Sequence, residues 1–288
     1  MFYLSIHHIF ILNISFLTLM QDSSIINVWE DNLSSEILRL SQFVKKYNVI
    51  SMDTEFPGVV AKPLCDFSSS SAYTYQQIRC NVQLLKLIQI GISLSDEYGN
   101  RPIPATFQFN FNFDIETDMY SKESIDLLIQ AKINFKKHKI NGIKINDFIE
   151  LLITTGILMN EKIKWVSFHS SSDFGYIIRA IIGNMLPVQE NIFFYYLHKL
   201  FPTFYDIKYL IWDTPHTKKG LQEIADDFKI RRYGTEHQAG SDALLTLNLF
   251  FHIKRHILKD EPQDKKCRLF GIEATDECIL ELNKINKN

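Results

Sequence analysis

Apolar positions along the chain switch repeatedly between a period of two and a period near 3.6 residues, the pattern of strands interleaved with helices. Ile37, Leu38, Leu40 and Phe43 share one face of a helix predicted over Ser34 to Lys46, with Asn32 or Ser34 as its cap. Val49 to Met52 is a short β-prone run ending in Asp53-Thr54-Glu55, and Leu84 to Leu94 continues as an apolar strand before a turn at Tyr98-Gly99-Asn100. The clearest strand is Phe107 to Phe113, where Phe107, Phe109, Phe111 and Phe113 alternate with Gln108, Asn110 and Asn112. From Ser121 the period is helical, through Ile125, Leu128 and Ile129, then Phe148, Leu151, Leu152 and Ile153. Ile163 to Phe168 predicts a strand, and a helix follows from Ser172 or Asp173 through Ile182. Phe193 to Phe201 reads as an aromatic helix stopped by Pro202, and Phe204 to Ile207 as a short strand. Leu221 to Phe228 and Gly240 to Leu258 are helical, the second with a broad apolar stripe. Ser68 to Ser71, the Lys136-Lys137-His138-Lys139 cluster and Asp213 to Gly220 read as surface loops inside one domain. Together these predict a single α/β domain with a mixed sheet flanked by helices.

Composition narrows the function. Of 288 residues, 46% are apolar and 22% charged, which excludes wholesale disorder and a coiled-coil rod. The formal net charge is −2, so nucleic acid is not held by bulk positive charge. The 22 Phe and 12 Tyr point to an aromatic core. Cys65, Cys80, Cys267 and Cys278 form no CxxC pair and read as isolated thiols in a reducing compartment. Met1 to Met20 is apolar but broken by Ser5, His7, His8, Asn13, Ser15 and Thr18, with no Lys or Arg ahead of it. It is a poor signal peptide and a poor membrane span, and is taken as an accessory extension or a misassigned start.

Four acids stand at element ends. Asp53 and Glu55 lie two apart at the end of the first long strand, so both project to one side of the sheet. Asp173 opens the helix after the Ile163–Phe168 strand, and Asp242 lies in the first turn of the long helix. Ligands of open α/β sheets gather beyond the strand carboxyl ends. Convergent carboxylates stay ionised together only around hard cations, and without a His or Cys cluster Mg²⁺ or Mn²⁺ fits better than Zn²⁺. Two such ions about 3.5–4 Å apart clamp the attacking and leaving oxygens of a phosphodiester. His237, five residues before Asp242, is the candidate to take a proton from the attacking water. Each residue alone has a plainer role: Asp173 as a helix cap, Asp242 as a first-turn charge, His237 as a solvated loop histidine. His169 reads as structural, Asp206 as support of the core, and Phe56 equally as a stacking platform or a core phenylalanine.

The chain resembles the Caf/Pop-type deadenylases, catalytic subunits of the Ccr–Not complex within the DEDD exonuclease superfamily, in its histidine branch. The resemblance is carried by Asn27-Val28-Trp29, the stretch Asp53-Thr54-Glu55-Phe56-Pro57-Gly58-Val59-Val60, Arg79-Cys80-Asn81 and Leu87-Ile88-Gln89-Ile90-Gly91. It continues in Trp165-Val166-Ser167-Phe168-His169-Ser170, Asp173-Phe174-Gly175-Tyr176, Gly220-Leu221-Gln222-Glu223 and His237-Gln238-Ala239-Gly240-Ser241-Asp242. It implies a ribonuclease H-like domain over residues 27–271, with an extension at 1–26 and a tail at 272–288. It also implies Asp53, Glu55, Asp173 and Asp242 as metal ligands and His237 as general base. The implied reaction is 3′-to-5′ hydrolysis of the mRNA poly(A) tail to 5′-AMP, in cytoplasm and nucleus. Ser171-Ser172 departs from the family's usual Gly-Tyr ahead of the third acid.

The implied partners are single-stranded poly(A), a Not-type scaffold subunit and a second deadenylase, with no stable membrane association. Basic groups are scattered (Lys136-Lys137, Lys218-Lys219, Arg231-Arg232) and read as solvated faces, so intrinsic RNA affinity is expected to be weak and a partner to deliver the substrate. Two other readings stand beside this one: a related exonuclease acting on DNA or structured RNA ends, and an adaptor that keeps the fold without activity.

Overall fold

In the computed structural model, which describes residues 24–258 and 263–273, the strand-like segments join one six-stranded sheet. Its strands are β1 (Ile25–Val28), β2 (Val49–Glu55), β3 (Gln89–Ser95), β4 (Thr106–Asn110), β5 (Lys164–Ser167) and β6 (Phe204–Asp206). Their spatial order is β1-β4-β3-β2-β5-β6. β3 is antiparallel to β2 and β4, and the other neighbours are parallel, giving the mixed sheet that the sequence predicts. The Met1–Met20 run, Cys278 and the tail from 274 onward lie outside the described residues.

Ten helices are described: α1 (Leu33–Phe43), α2 (Ser70–Leu84), α3 (Lys122–Gln130), α4 (Phe135–Asn141), α5 (Ile145–Thr154), α6 (Ser171–Ile182), α7 (Glu190–Leu200), α8 (Ile207–Leu210), α9 (Leu221–Asp227) and α10 (Ala239–Ile253). Among the described residues, no helix is long and apolar enough to cross a membrane. The sheet separates two of the three cores among the described residues, the third and smallest being built from residues such as Phe113, Leu128 and Phe135. On one face Ile50, Met52, Ile90, Ile92, Phe107 and Phe109 pack with side chains of α1, α2, α5, α6 and α7. On the other, Val49, Val166 and Tyr205 pack with Leu247, Phe250 and Ile253 of α10. Alternation along β2 therefore assigns Ile50 and Met52 to the larger core and turns Val49, Ser51, Asp53 and Glu55 toward α10.

Several elements differ from their sequence pattern, each for a local reason. The Ser68–Ser71 stretch is not a loop but a helix start: the Ser69 hydroxyl accepts from Ala72 N at 3.1 Å and α2 runs on to Leu84. Only Tyr75, Ile78 and Val82 of its turns are apolar and buried, too sparse a stripe to stand out among polar neighbours. Leu84 thus closes a helix, and β3 begins only at Gln89. The Lys136–Lys139 cluster lies within α4, capped by the Asn134 side chain, and buries His138 with Nδ1 2.7 Å from the Phe111 carbonyl. β4 stops at Asn110 because Phe111 bridges to Ile143 instead. α6 begins at Ser171, so Asp173 sits inside its first turn, and α10 ends at Ile253 in a π turn over Lys254–Leu258. Strict alternation in β4 does not mark one wet face. Gln108 and Asn110 are also buried, because the start of α10 covers Gln108 and the neighbouring strands enclose Asn110 through Gln89, Asn27 and Val28.

That cover depends on a missing side chain. A Cβ at Gly91 of β3 would fall 1.9 Å from the Ala239 carbonyl oxygen and 2.7 Å from Gly240 N. Gly91→Ala is expected to lower the free energy of unfolding by at least about 1–3 kcal/mol, measured by urea denaturation. A neutral result would mean that α10 does not sit this close to the sheet.

Candidate metal centre

Asp53 and Glu55 are adjacent same-face positions of β2, paired in register with Gly91 and Gln89 of β3. α10 approaches over Gly91, and three polar links fix its start. Gln89 Oε1 accepts from Ala239 N at 3.1 Å, Gln108 Oε1 accepts from Gly240 N at 2.9 Å, and Ser51 Oγ donates to the Ala243 carbonyl at 2.6 Å. The first two satisfy N–H groups that a helix start leaves unpaired. Gln238 joins this array, its Oε1 accepting from both Gln89 and Gln108. The result places Asp242, one turn into α10, beside the strand acids. Asp53, Glu55 and Asp242 each offer a carboxylate oxygen, and the three lie within 4.8 Å of one another.

Asp173 stands beside this trio rather than within it. It is buried, and its Oδ1 accepts a short hydrogen bond from the Thr54 hydroxyl, on the opposite face of β2 from Asp53 and Glu55. Its charge still reaches both strand acids. Ser171 and Ser172 fill the first turn ahead of it without capping it. Ser171 Oγ donates to the Phe270 carbonyl at 3.0 Å, so the departure from the family pattern ties α6 to the C-terminal segment. His237 lies two residues before α10, half-exposed, with φ at +59°, a left-handed conformation uncommon outside glycine. A proton on it would favour the ionised form of Asp242. Phe56 is half-buried, with its ring 5.1 Å from Tyr176, and together with Asp173 they line a cavity of about 310 Å³. Asp206 is fully buried and accepts from the backbone N–H groups of His169, Ser170, Lys208 and Phe270, so it organises the chain leading into α6.

Burial is the first cause that lifts the carboxyl groups of Asp53 and Glu55 well above the usual range, and mutual repulsion with Asp242 and Asp173 adds to it. Asp173 is pushed up to about 6, again mainly by burial and against the stabilising Thr54 hydroxyl. Asp242 is raised by burial and held back by Arg232. Such a cluster, all oxygen, partly desolvated and short of positive charge, suits hard divalent cations, which neutralise it directly. Asp53, Glu55 and Asp242 are the side chains positioned to hold them.

Arg232 escapes a reading of the sequence. Arg231-Arg232 reads as a solvated face, yet the Arg232 side chain is 12% exposed and its Nη1 donates to Asp242 Oδ1 at 2.6 Å and to Ser241 Oγ at 3.0 Å. Its Nε also donates to Gln222 of α9. A loop arginine ten residues before an acid carries no local sign of that pairing. Thr54 is missed for a similar reason: its place between two acids suggests strand alternation and nothing more. The other basic pairs are also engaged, Lys219 with Asp227 and Lys137 over the Trp29 ring.

The sequence profile described as CAF1 family ribonuclease matches residues 28–147 and 144–250. The chain is 46% identical over 265 residues to the poly(A) ribonuclease pop2 of Schizosaccharomyces pombe, spanning 91% of this chain and 79% of that protein. The S. pombe Pop2p structure in its Mg²⁺- and Mn²⁺-bound form superposes with a TM-score of 0.85 at 47% identity, covering 87% of this chain and all of that one. A structure of the yeast NOT1 MIF4G domain co-crystallised with CAF1 matches with a TM-score of 0.73 at 31% identity, over 85% of this chain and 96% of the matched one.

Replacing Asp53 by Asn is expected to leave metal-free stability unchanged or raise it, since one repelling charge leaves a desolvated cluster. Adding Mn²⁺ at a hundred times its Kd is expected to stabilise the wild type by about 2.7 kcal/mol and the variant far less. Thermal melts in EDTA and in Mn²⁺ read both effects. Equal stabilisation of the two proteins would place the cation elsewhere.

Proposed function

Because the chain belongs to the CAF1 ribonuclease family, we propose that it is a 3′-to-5′ exoribonuclease that shortens mRNA poly(A) tails and releases 5′-AMP. The observation that carries this reading is the trio Asp53, Glu55 and Asp242 within 4.8 Å, with Asp173 alongside. Magnesium or manganese ions bound there supply Lewis-acid charge to the scissile phosphodiester, as a pair in the two-metal manner. The chain's own residues do the rest. Asp53, Glu55 and Asp242 would hold the ions, with Asp173 adding its charge from beside the trio, and the Thr54 hydroxyl and the Arg232 guanidinium fix the orientation of Asp173 and Asp242. His237, half-exposed at the rim, accepts the proton of the attacking water. Phe56 offers its ring to the terminal base, backed by Tyr176.

A net charge of −2 gives little general attraction for RNA, so delivery of the strand falls to partners. A scaffold of the NOT1 MIF4G type, the domain co-crystallised with yeast CAF1, is the first of them, and a second deadenylase of the Ccr–Not complex the other. The enzyme acts in both cytoplasm and nucleus. An adaptor without activity would have no use for four crowded acids in mutual repulsion.

A labelled RNA ending in an A-tail, incubated with Mg²⁺ or Mn²⁺, is expected to shorten from its 3′ end. Asp53→Ala and Asp242→Ala are each expected to abolish shortening, and His237→Ala to slow it by about 10²–10⁴-fold. A chain that degrades matched DNA as fast as RNA would favour the related-exonuclease reading, and near-normal turnover by either Asp variant would refute the site.

A further inference from the structure

Beyond Tyr176, on the side away from the acids, lies a cavity of about 450 Å³ between α2, the C-terminal half of α6 and the start of α5. Its lining contains Lys86, Lys144 and Arg179 and no carboxylate. Lys86 is held at the rim by Asp118, whereas Lys144 and Arg179 have no ion-pair partner among the described residues. Lys144 also occupies the cap position of α5, whose first turn receives no side-chain cap, so unpaired N–H groups stand at the cavity wall.

A separate observation points to a ligand. Tyr176 is 3% exposed, lines this cavity, and its buried hydroxyl has no hydrogen-bond partner. Burial also raises its pKa, so it remains a donor. Gln83 Oε1 is likewise buried and unsatisfied at the same wall. Buried polar groups are rarely left unpaired in a native fold. Cationic and N–H donors with a tyrosine hydroxyl suit a phosphate, and a glutamine amide suits the N6 and N7 edge of adenine. Position agrees: Arg179 follows Asp173 by six residues on α6, about 9 Å along the axis, or two to three stacked nucleotides at ~3.4 Å each.

We propose that this cavity is a second nucleotide subsite that binds an adenosine phosphate through Lys144, Arg179, Tyr176 and Gln83, an assignment that rests on the deadenylase reading. The adenosine phosphate is either a nucleotide of the tail upstream of the scissile bond or a free mononucleotide. Tyr176 joins the two sites, its ring against Phe56 and its hydroxyl in the cavity.

The test uses the full chain and the double variant Lys144→Gln, Arg179→Gln, with thermal melts confirming that both are folded. Fluorescence anisotropy of an oligo(A) of about twenty nucleotides, in EDTA, is expected to show affinity falling about tenfold or more. The salt slope is expected to become shallower by about 1.4, at ~0.7 per lost phosphate contact. Hydrolysis of the dinucleotide ApA, too short to reach the cavity, is expected to stay unchanged. Calorimetry with 5′-AMP separates the two sources: loss of AMP binding with unchanged oligo(A) affinity assigns the cavity to the free nucleotide. If neither ligand binds more weakly to the variant, or to Tyr176→Phe, the subsite does not exist. These binding measurements need no turnover, so a wild type that binds but never shortens RNA would overturn the deadenylase reading and not the subsite.

Discussion

The centre depends on how closely the start of α10 approaches the sheet. Gly91 leaves the space into which the Ala239 carbonyl descends, and any side chain there would overlap it. Gln89 and Gln108 then accept from the first two N–H groups of the helix, and Ser51 donates to its second turn. These bonds are directional where packing alone is not, so they set the rotation of α10 as well as its height. Asp242 is carried to the strand acids by that rotation.

Assembling the acids opposes folding. Asp53, Glu55 and Asp242 lose solvent and repel one another, and Arg232 offsets part of that charge, bonding directly to Asp242 and acting on Asp53 and Glu55 through space. The rest of the molecule supplies the stability that holds them together. Apolar cores lie on both faces of the sheet, and in the larger Trp165 packs on Phe201, Phe201 on Phe174 and Phe174 on Phe204, with ring centroids 4.9–5.3 Å apart. A site in electrostatic tension sits on a frame too densely packed to relax it. Bound cations convert that tension into affinity, which is why a near-neutral protein can hold a compact anionic centre.

Asp206 and Thr54 show how the third acid is held. Asp206 gathers four backbone N–H groups from β5's exit, α8 and the C-terminal segment, and so fixes the chain that enters α6. Thr54 then reaches across the strand end to Asp173. Neither needs to touch substrate to matter, because the charge Asp173 lends to the centre depends on where its carboxylate is held.

Local pattern alone determined the α/β class, the mixed sheet, the placement of Asp53 and Glu55 on one face, and Asp242 in the first turn of a long helix. Those follow from periods of two and 3.6, which a linear chain displays openly. α2 and α4 were hidden because their apolar positions are sparse and polar or basic residues crowd them. Only tertiary structure decided that Gln108 and Asn110 are buried, that Arg232 belongs to Asp242 instead of solvent, and that Asp173 answers to Thr54 while the other three acids converge. Each is a contact between residues of separate elements, set by how helices and sheet dock, and no neighbour in sequence reports it.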